Sequence, residues 1–264
     1  MMRWLVVVFT LFGLWGLFSP LAAEAVGTTE LARDLFDQAL LASRNGDVAQ
    51  ALPLWDRYIE SHPEDAAALS NRGNVRLVLG DPEGAIADQT RSMELTPEEN
   101  DPHLNRGTAE EALQLWDAAA NDYQWILERD PSDASALYNL GNVRGSQEQW
   151  DEAAELYGAA SLARPGFAMA RSSEAMARYQ LEELEQAERD LRNLIRRYPM
   201  FADARAGLSA LLWRQGQRGE AESHWAAASG LDPRYRQADW LLSVRRWPPG
   251  PTADLMAFLE LKSP

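Results

Sequence analysis

The sequence of 264 residues contains no cysteine and a single lysine, Lys262. Without a thiol the chain forms no disulfide, holds no iron–sulfur cluster and has no cysteine nucleophile. The other basic side chains are arginines, a bias that we attribute to genomic base composition. A glycine-rich phosphate loop and the nucleophile motif of serine hydrolases are also missing.

Histidine is scarce as well, since only His62, His103 and His224 occur and no two have the spacing of metal ligands. Adjacent acids such as Glu110-Glu111 fall where turns and solvated helix faces are expected, with no second group predicted opposite them. The sequence therefore predicts a protein that is not an enzyme and holds no metal and no cofactor.

Basic residues are fewer than acidic ones: the chain has 25 lysines and arginines and 40 aspartates and glutamates, which gives a net charge of −15. Such a surface repels phosphate backbones and anionic lipid headgroups. We therefore expect no nucleic-acid binding and no direct lipid binding. The expected form is a monomer that binds a protein or peptide.

Long apolar runs are confined to the N-terminus. Arg3 precedes an apolar stretch over residues 4–18, and small residues follow up to Ala25. A charged start, an apolar segment of this length and an A-x-A site are typical of a secretory signal, so we expect residues 1–25 to be removed after export. The alternative is an uncleaved signal that tethers the protein to a membrane.

Beyond the signal, two residue types recur with a period of 34. The prolines are Pro63, Pro97, Pro131, Pro165, Pro199 and Pro233. The alanines are Ala51, Ala85, Ala119, Ala153, Ala187 and Ala221. A period of this length is typical of helix-turn-helix units that bury their apolar faces by stacking.

The period divides residues 26–235 into six units and leaves residues 236–264 as C-terminal capping helices. The units are 32–65, 66–99, 100–133, 134–167, 168–201 and 202–235. The eighth residue of each is small, so that the two helices can approach closely against the alanine. Large side chains four residues after the alanine, such as Trp55 and Tyr123, are predicted to fill the seam, with Gln89 as the exception.

Helix ends are also indicated. Gly46, Gly80 and Gly216 provide stops between the two helices, while the remaining units have Gln114, Glu148 and Glu182 there. In the tail we expect one helix within residues 236–247, a break at Pro248-Pro249-Gly250-Pro251, and a short helix that follows from Thr252 as its N-cap.

These residues resemble tetratricopeptide repeats over about four fifths of the chain. The resemblance implies an all-α fold, a right-handed superhelical solenoid of six helix-turn-helix repeats. Arg72, Arg106 and Glu174 depart from it, since they replace the usual leucine before the small eighth residue. We expect looser packing there, with the arginine stems lying over apolar neighbours.

In a stack of this kind the first helix of each unit lines the concave surface. Its sixth position carries Asn71, Asn105 and Asn139, and its ninth carries Asn74 and Asn142. Amides in a regular row can hold the backbone of an extended peptide. Equally, asparagine is a common consensus residue there that bonds to the adjacent helix.

Other inner positions add candidate contacts. The fourth unit has Tyr138 where a carboxylate clamp for chaperone C-termini requires a lysine, so a clamp is not expected. Further along, Met176, Tyr179 and Trp213 suit an apolar anchor of a partner or an apolar ligand. The alternative is that the C-terminal helices fold back and bury these three as core.

A second resemblance concerns the segment from Tyr198 to Pro249, with its Arg246-Trp247-Pro248-Pro249 motif, and the Asn-Arg-Gly starts at Asn71 and Asn105. These are similar to tetratricopeptide proteins of cyanobacteria and chloroplast lumens. That resemblance implies a place in the thylakoid lumen or periplasm. We expect a non-catalytic scaffold for assembly or maintenance of membrane complexes; the alternative is a carrier of a pigment or lipid in the C-terminal half of the groove.

Overall fold

The computed structural model describes the backbone of residues 20–261 and the side chains of residues 31–261. Residues 1–19, which hold most of the predicted export signal, lie outside this range. The α-helices in it are α1 Pro20–Asn45, α2 Val48–Ser61, α3 Ala66–Val78, α4 Pro82–Leu95, α5 Asn100–Ala112, α6 Trp116–Leu127, α7 Ala134–Ser146, α8 Trp150–Ala163, α9 Ala168–Gln180, α10 Leu184–Arg197, α11 Ala202–Arg214, α12 Arg218–Leu231, α13 Ala238–Ser243 and α14 Pro249–Glu260.

The helices α1 to α12 pack as consecutive antiparallel pairs, each against the next pair. The first helices of neighbouring pairs also contact each other. These contacts join α1 to α3, α3 to α5, α5 to α7 and α9 to α11. The first helices therefore form the inner surface of the stack. The predicted all-α solenoid is confirmed, and within the described residues no helix is apolar and long enough to span a membrane.

One residue in the left-handed conformation ends the first helix of every pair. These residues are Gly46, Gly80, Gln114, Glu148, Glu182 and Gly216, with φ between 58° and 84°. In each case the next residue donates its N–H to the carbonyl five residues before it, as Asp47 does to Ala42 at 2.9 Å. The predicted stops are confirmed, including the three that lack glycine.

Close approach within a pair depends on the small eighth residue. A Cβ on Gly107 would lie 2.7 Å from the Tyr123 ring, and one on Gly141 would lie 2.8 Å from the Tyr157 ring. In these two units the small eighth residue therefore makes room for the large seam residue. We had expected it to make room for the alanine four residues before that residue. Gln89 fills the seam in the second unit and is fully buried.

The two arginines that replace leucine make ion pairs with buried aspartates. Arg72 donates to Asp88 at 2.9 and 2.7 Å, and Arg106 donates to Asp122 at 2.7 and 2.8 Å. Both aspartates are almost completely buried. A paired guanidinium thus occupies the volume that leucine would take.

The tail differs from the prediction in two ways. A 3₁₀ turn at Pro233–Arg236 precedes α13, which is a helix of only six residues. The last helix begins at Pro249 and not at Thr252, because a proline suits the first helical position, where its missing N–H has no partner to lose. Thr252 lies inside α14 and donates its hydroxyl to the Pro248 carbonyl at 2.9 Å.

Candidate functional site

The candidate site is the inner groove, the concave surface formed by α1, α3, α5, α7, α9 and α11. Part of it is covered by the C-terminal arm, which comprises residues 236–261. Within the arm, α14 packs on α9 and α11. The loop before α14 reaches as far as α5, where Arg246 donates to Glu111. The arm therefore crosses the groove from the sixth unit to the C-terminal end of α5 in the third unit.

The apolar part of the groove is the part that the arm fills. Met176 and Tyr179 are fully buried, and Tyr179 donates its hydroxyl to Asp254 of α14 at 2.8 Å. The Trp213 ring lies 5.7 Å from that of Phe258. Of the two alternatives, burial against the C-terminal helices holds for Met176 and Tyr179, whereas Trp213 is half-buried beside Phe258.

Asp203 fastens the arm to the groove. Its carboxylate has no exposed surface and accepts from Ser172 at 2.5 Å, Tyr235 at 2.8 Å and Trp247 at 3.0 Å. Arg245 adds two further bonds at 2.7 and 2.5 Å. Burial alone would raise the pKa of Asp203, but the Arg245 guanidinium and the hydroxyl donors hold it below its usual value.

The row at the sixth position lies in the uncovered stretch or beside the arm. Asn71 donates to the Ala67 carbonyl of its own helix at 2.8 Å, and Asn105 donates to the Ser70 hydroxyl of the preceding unit at 3.3 Å. The Asn139 side chain makes no hydrogen bond to the described part of the chain. All three are half-buried, so each amide retains bonding capacity at the groove surface.

The ninth-position asparagines serve the fold. Asn74 accepts from Gln89 at 3.0 Å, and Asn142 accepts from the Tyr157 hydroxyl at 3.0 Å. For these two, the interpretation that asparagine bonds to the adjacent helix is confirmed. Tyr138 is half-buried, and its ring lies 5.0 Å from that of Phe167.

Two acidic residues near the end of α5 are buried in an unusual way. One Glu110 oxygen lacks a partner within the described residues, and desolvation together with Asp122 raises the Glu110 pKa to about 7. Burial also raises the pKa of Glu111, although Arg246 and the Tyr123 hydroxyl oppose the rise. These acids were expected on a solvated face, and that expectation was wrong.

His62 and His103 each pack against an aromatic side chain of the fold. His103 lies 2.8 Å from Asp122 and stacks on Trp125, while His62 stacks on Tyr58. Within residues 31–261 no three acidic or histidine side chains form a group that could hold a metal ion.

Reasoning from the sequence missed Asp203, Arg245 and the contact of Glu111 with Arg246. It also missed the buried ion pairs, although a signal was present, because Arg72 and Arg106 stand 34 apart and so do Asp88 and Asp122. Matching those two spacings would have found the pairs. The residues that hold the arm do not recur every 34 positions, so no such spacing indicates their contacts.

Comparison with family models matches the tetratricopeptide repeat over residues 36–99, 104–168 and 172–235. A comparison with curated protein sequences finds no match. The family match therefore rests on the repeats themselves, and it covers well over half of the chain.

Solved structures share the fold at low identity. A tetratricopeptide repeat protein from Parabacteroides merdae is 17% identical with a TM-score of 0.63, over 87% of this chain and 98% of that one. A chain of the APC/C hetero-tetramer Cut9-Hcn1 is 16% identical with a TM-score of 0.68, over 81% of this chain and 42% of that one. YrrB, described as having an unusual peptide-binding site, is 20% identical with a TM-score of 0.53, over 72% of this chain and 95% of that one.

Proposed function

Because the chain belongs to the tetratricopeptide repeat family, whose members serve as protein-interaction scaffolds, we propose that it is a non-catalytic scaffold that binds an extended protein segment in the inner groove. The observation that carries this proposal is the stretch of groove that the arm leaves uncovered. There Asn71 and Asn105 present half-buried amides, and Val78 is 70% exposed.

This stretch has the chemistry that an extended segment needs. Amide groups can donate to and accept from a peptide backbone whatever its side chains are. An exposed apolar residue beside them offers a contact for one partner side chain. YrrB, a protein of the same fold, is described as having a peptide-binding site, which is consistent with such a use of the solenoid.

The test replaces Asn71, Asn105 and Asn139 by alanine and measures capture of partners from native cell extract. We expect capture to fall about tenfold or more, because each lost amide bond contributes roughly 0.5–1.5 kcal/mol. The matched control replaces Asn121 and Asn193, exposed amides on the second helices, by alanine. Equal capture by both variants, with unchanged helical content, would remove the amide row from the binding site.

We also propose that the protein acts outside the cytoplasm, in the thylakoid lumen or periplasm, as an assembly or maintenance factor for membrane complexes. The N-terminal signal pattern and the similarity of residues 198–249 to lumenal proteins support this placement. We propose a monomer that makes no direct lipid contact. N-terminal sequencing of the native protein tests the export step, since removal of the signal leaves Val26 as the first residue.

A further inference from the structure

A small pocket for a cationic side chain lies at the end of α5. It is formed by Glu111, Tyr123 and Trp116 and is called the arginine pocket below. Glu111 is 5% exposed and accepts from the Tyr123 hydroxyl at 2.5 Å. The Trp116 ring centre lies 6.0 Å from the guanidinium carbon of the side chain that fills the pocket. A buried carboxylate beside an aromatic face binds guanidinium or ammonium groups.

The side chain now in the pocket is Arg246 of the arm, which donates to Glu111. Its backbone has a φ of 57°, a left-handed conformation that costs a non-glycine residue about 1 kcal/mol or more. Its side chain remains 28% exposed. Arg246 thus fills the pocket at a cost in backbone energy and leaves the pocket reachable from solvent.

The neighbouring Arg245 behaves differently. The Arg245 side chain is 10% exposed and its partner Asp203 is completely buried, whereas the Arg246 side chain is 28% exposed. A cavity of about 150 Å³ lies beside Arg246 and Trp247 and is also lined by Asn142 and Tyr157. Arg245 therefore anchors the arm, and Arg246 can leave its pocket while the anchor stays in place.

The pocket continues the surface that carries the amide row. Glu111 and Asn105 lie on the same helix, six residues apart, which corresponds to a separation of about 9 Å along the axis. An extended segment covers that distance with about three residues. A segment held by Asn105 can therefore place a side chain in the arginine pocket.

We propose that the arginine pocket receives an arginine or lysine of the bound protein segment in exchange for Arg246, so that the partner carries a positive charge at this point. The proposal rests on the proposed function, since it names the chemistry of the segment in the same groove. The net charge of −15 favours a cationic segment as well.

The test uses two labelled peptides of serine, glycine and leucine with one central residue, which is arginine in the first and citrulline in the second. Citrulline keeps the shape of arginine and lacks its charge. Fluorescence anisotropy gives the Kd of each for the wild type and for Arg246→Ala. Arg236→Ala removes an exposed arginine of the arm and is the matched control.

We expect Arg246→Ala to bind the arginine peptide about tenfold more tightly than the wild type, because a competing charge-assisted bond has been removed. The citrulline peptide should bind Arg246→Ala and the wild type alike, and Arg236→Ala should match the wild type. Adding Glu111→Gln to Arg246→Ala should abolish the preference for arginine.

A second measurement covers the case in which Arg246→Ala does not fold. In the wild type, the arginine peptide should speed hydrogen exchange at Val244 to Trp247, and the citrulline peptide should not. Unchanged exchange overturns the proposal, and so does equal or absent binding of both peptides by folded Arg246→Ala. The proposed function fails separately, when alanine at Asn71, Asn105 and Asn139 leaves partner capture unchanged.

Discussion

At the scale of single residues, Asp203 shows how a charge is kept in the interior. A carboxylate without exposed surface is costly unless donors surround it, and here two hydroxyls, an indole N–H and a guanidinium do so. Because the pKa of Asp203 is lower in the folded protein than in the unfolded chain, ionised Asp203 stabilises the fold. This contribution is fully present above the unfolded-state pKa of Asp203 and is lost as the pH falls through its folded-state pKa.

We predict that Asp203→Asn destabilises the protein by about 3–5 kcal/mol, because Arg245 would remain buried without a counter-charge. Urea denaturation monitored at the C-terminal units measures the loss. Asp239→Asn, an equal change of charge at an exposed residue of α13, should shift the midpoint very little. Similar midpoints for the two variants would show that Asp203 does not anchor the arm.

At the scale of helices, packing within a unit depends on which residue is small. Gly107 and Gly141 face tyrosine rings, and the space that they leave lets each tyrosine reach a partner. Tyr123 donates to Glu111, and Tyr157 donates to Asn142. One small residue therefore fixes both the helix distance and the position of a groove residue.

We predict that Gly107→Ala costs about 1–3 kcal/mol, since the new methyl group would overlap the Tyr123 ring. Thermal unfolding followed by circular dichroism measures the change. The control is Gly219→Ala in α12, where nothing lies within 4 Å of the new methyl group and stability should be equal or slightly higher. A Gly107→Ala protein that melts with the wild type would contradict the packing described here.

The helix pairs could be predicted from the sequence because their causes repeat every 34 residues. Stops, small residues and seam residues each form a series, and Gln114 was placed correctly without being glycine. The path of the arm could not be predicted. Arg246 and Glu111 are 135 residues apart, and such a contact leaves no local or periodic pattern. For the same reason the burial of Met176 and Tyr179 stayed one of two alternatives.

At the scale of the whole molecule, the arm joins four units that otherwise contact only their neighbours. Repeat arrays gain stability mainly from nearest-neighbour interfaces, so a segment that links the third unit to the sixth makes them more cooperative. Leu255 and Phe258 of α14 belong to the same apolar core as Leu191 and Leu211. The arm therefore supplies part of the apolar core of the last two units.

We predict that ending the chain at residue 235 destabilises the fifth and sixth units by about 5 kcal/mol, since burial of several large side chains is lost. Hydrogen exchange should rise across α9 to α12 and remain slow in α3 and α4. Val244→Ser, which changes an exposed arm residue, is the control. Uniform exchange rates along the truncated chain would contradict a local role of the arm.

Because Asp203 and Arg245 fix the arm across the inner surface, the channel of this solenoid is closed at one end. In the proposed binding mode a guest chain enters from the side of α1, and with helix layers about 10 Å apart the two free units accommodate a stretch of about six extended residues. Anything longer has to leave sideways in front of the arm. The protein would then measure the length of its guest as well as its chemistry.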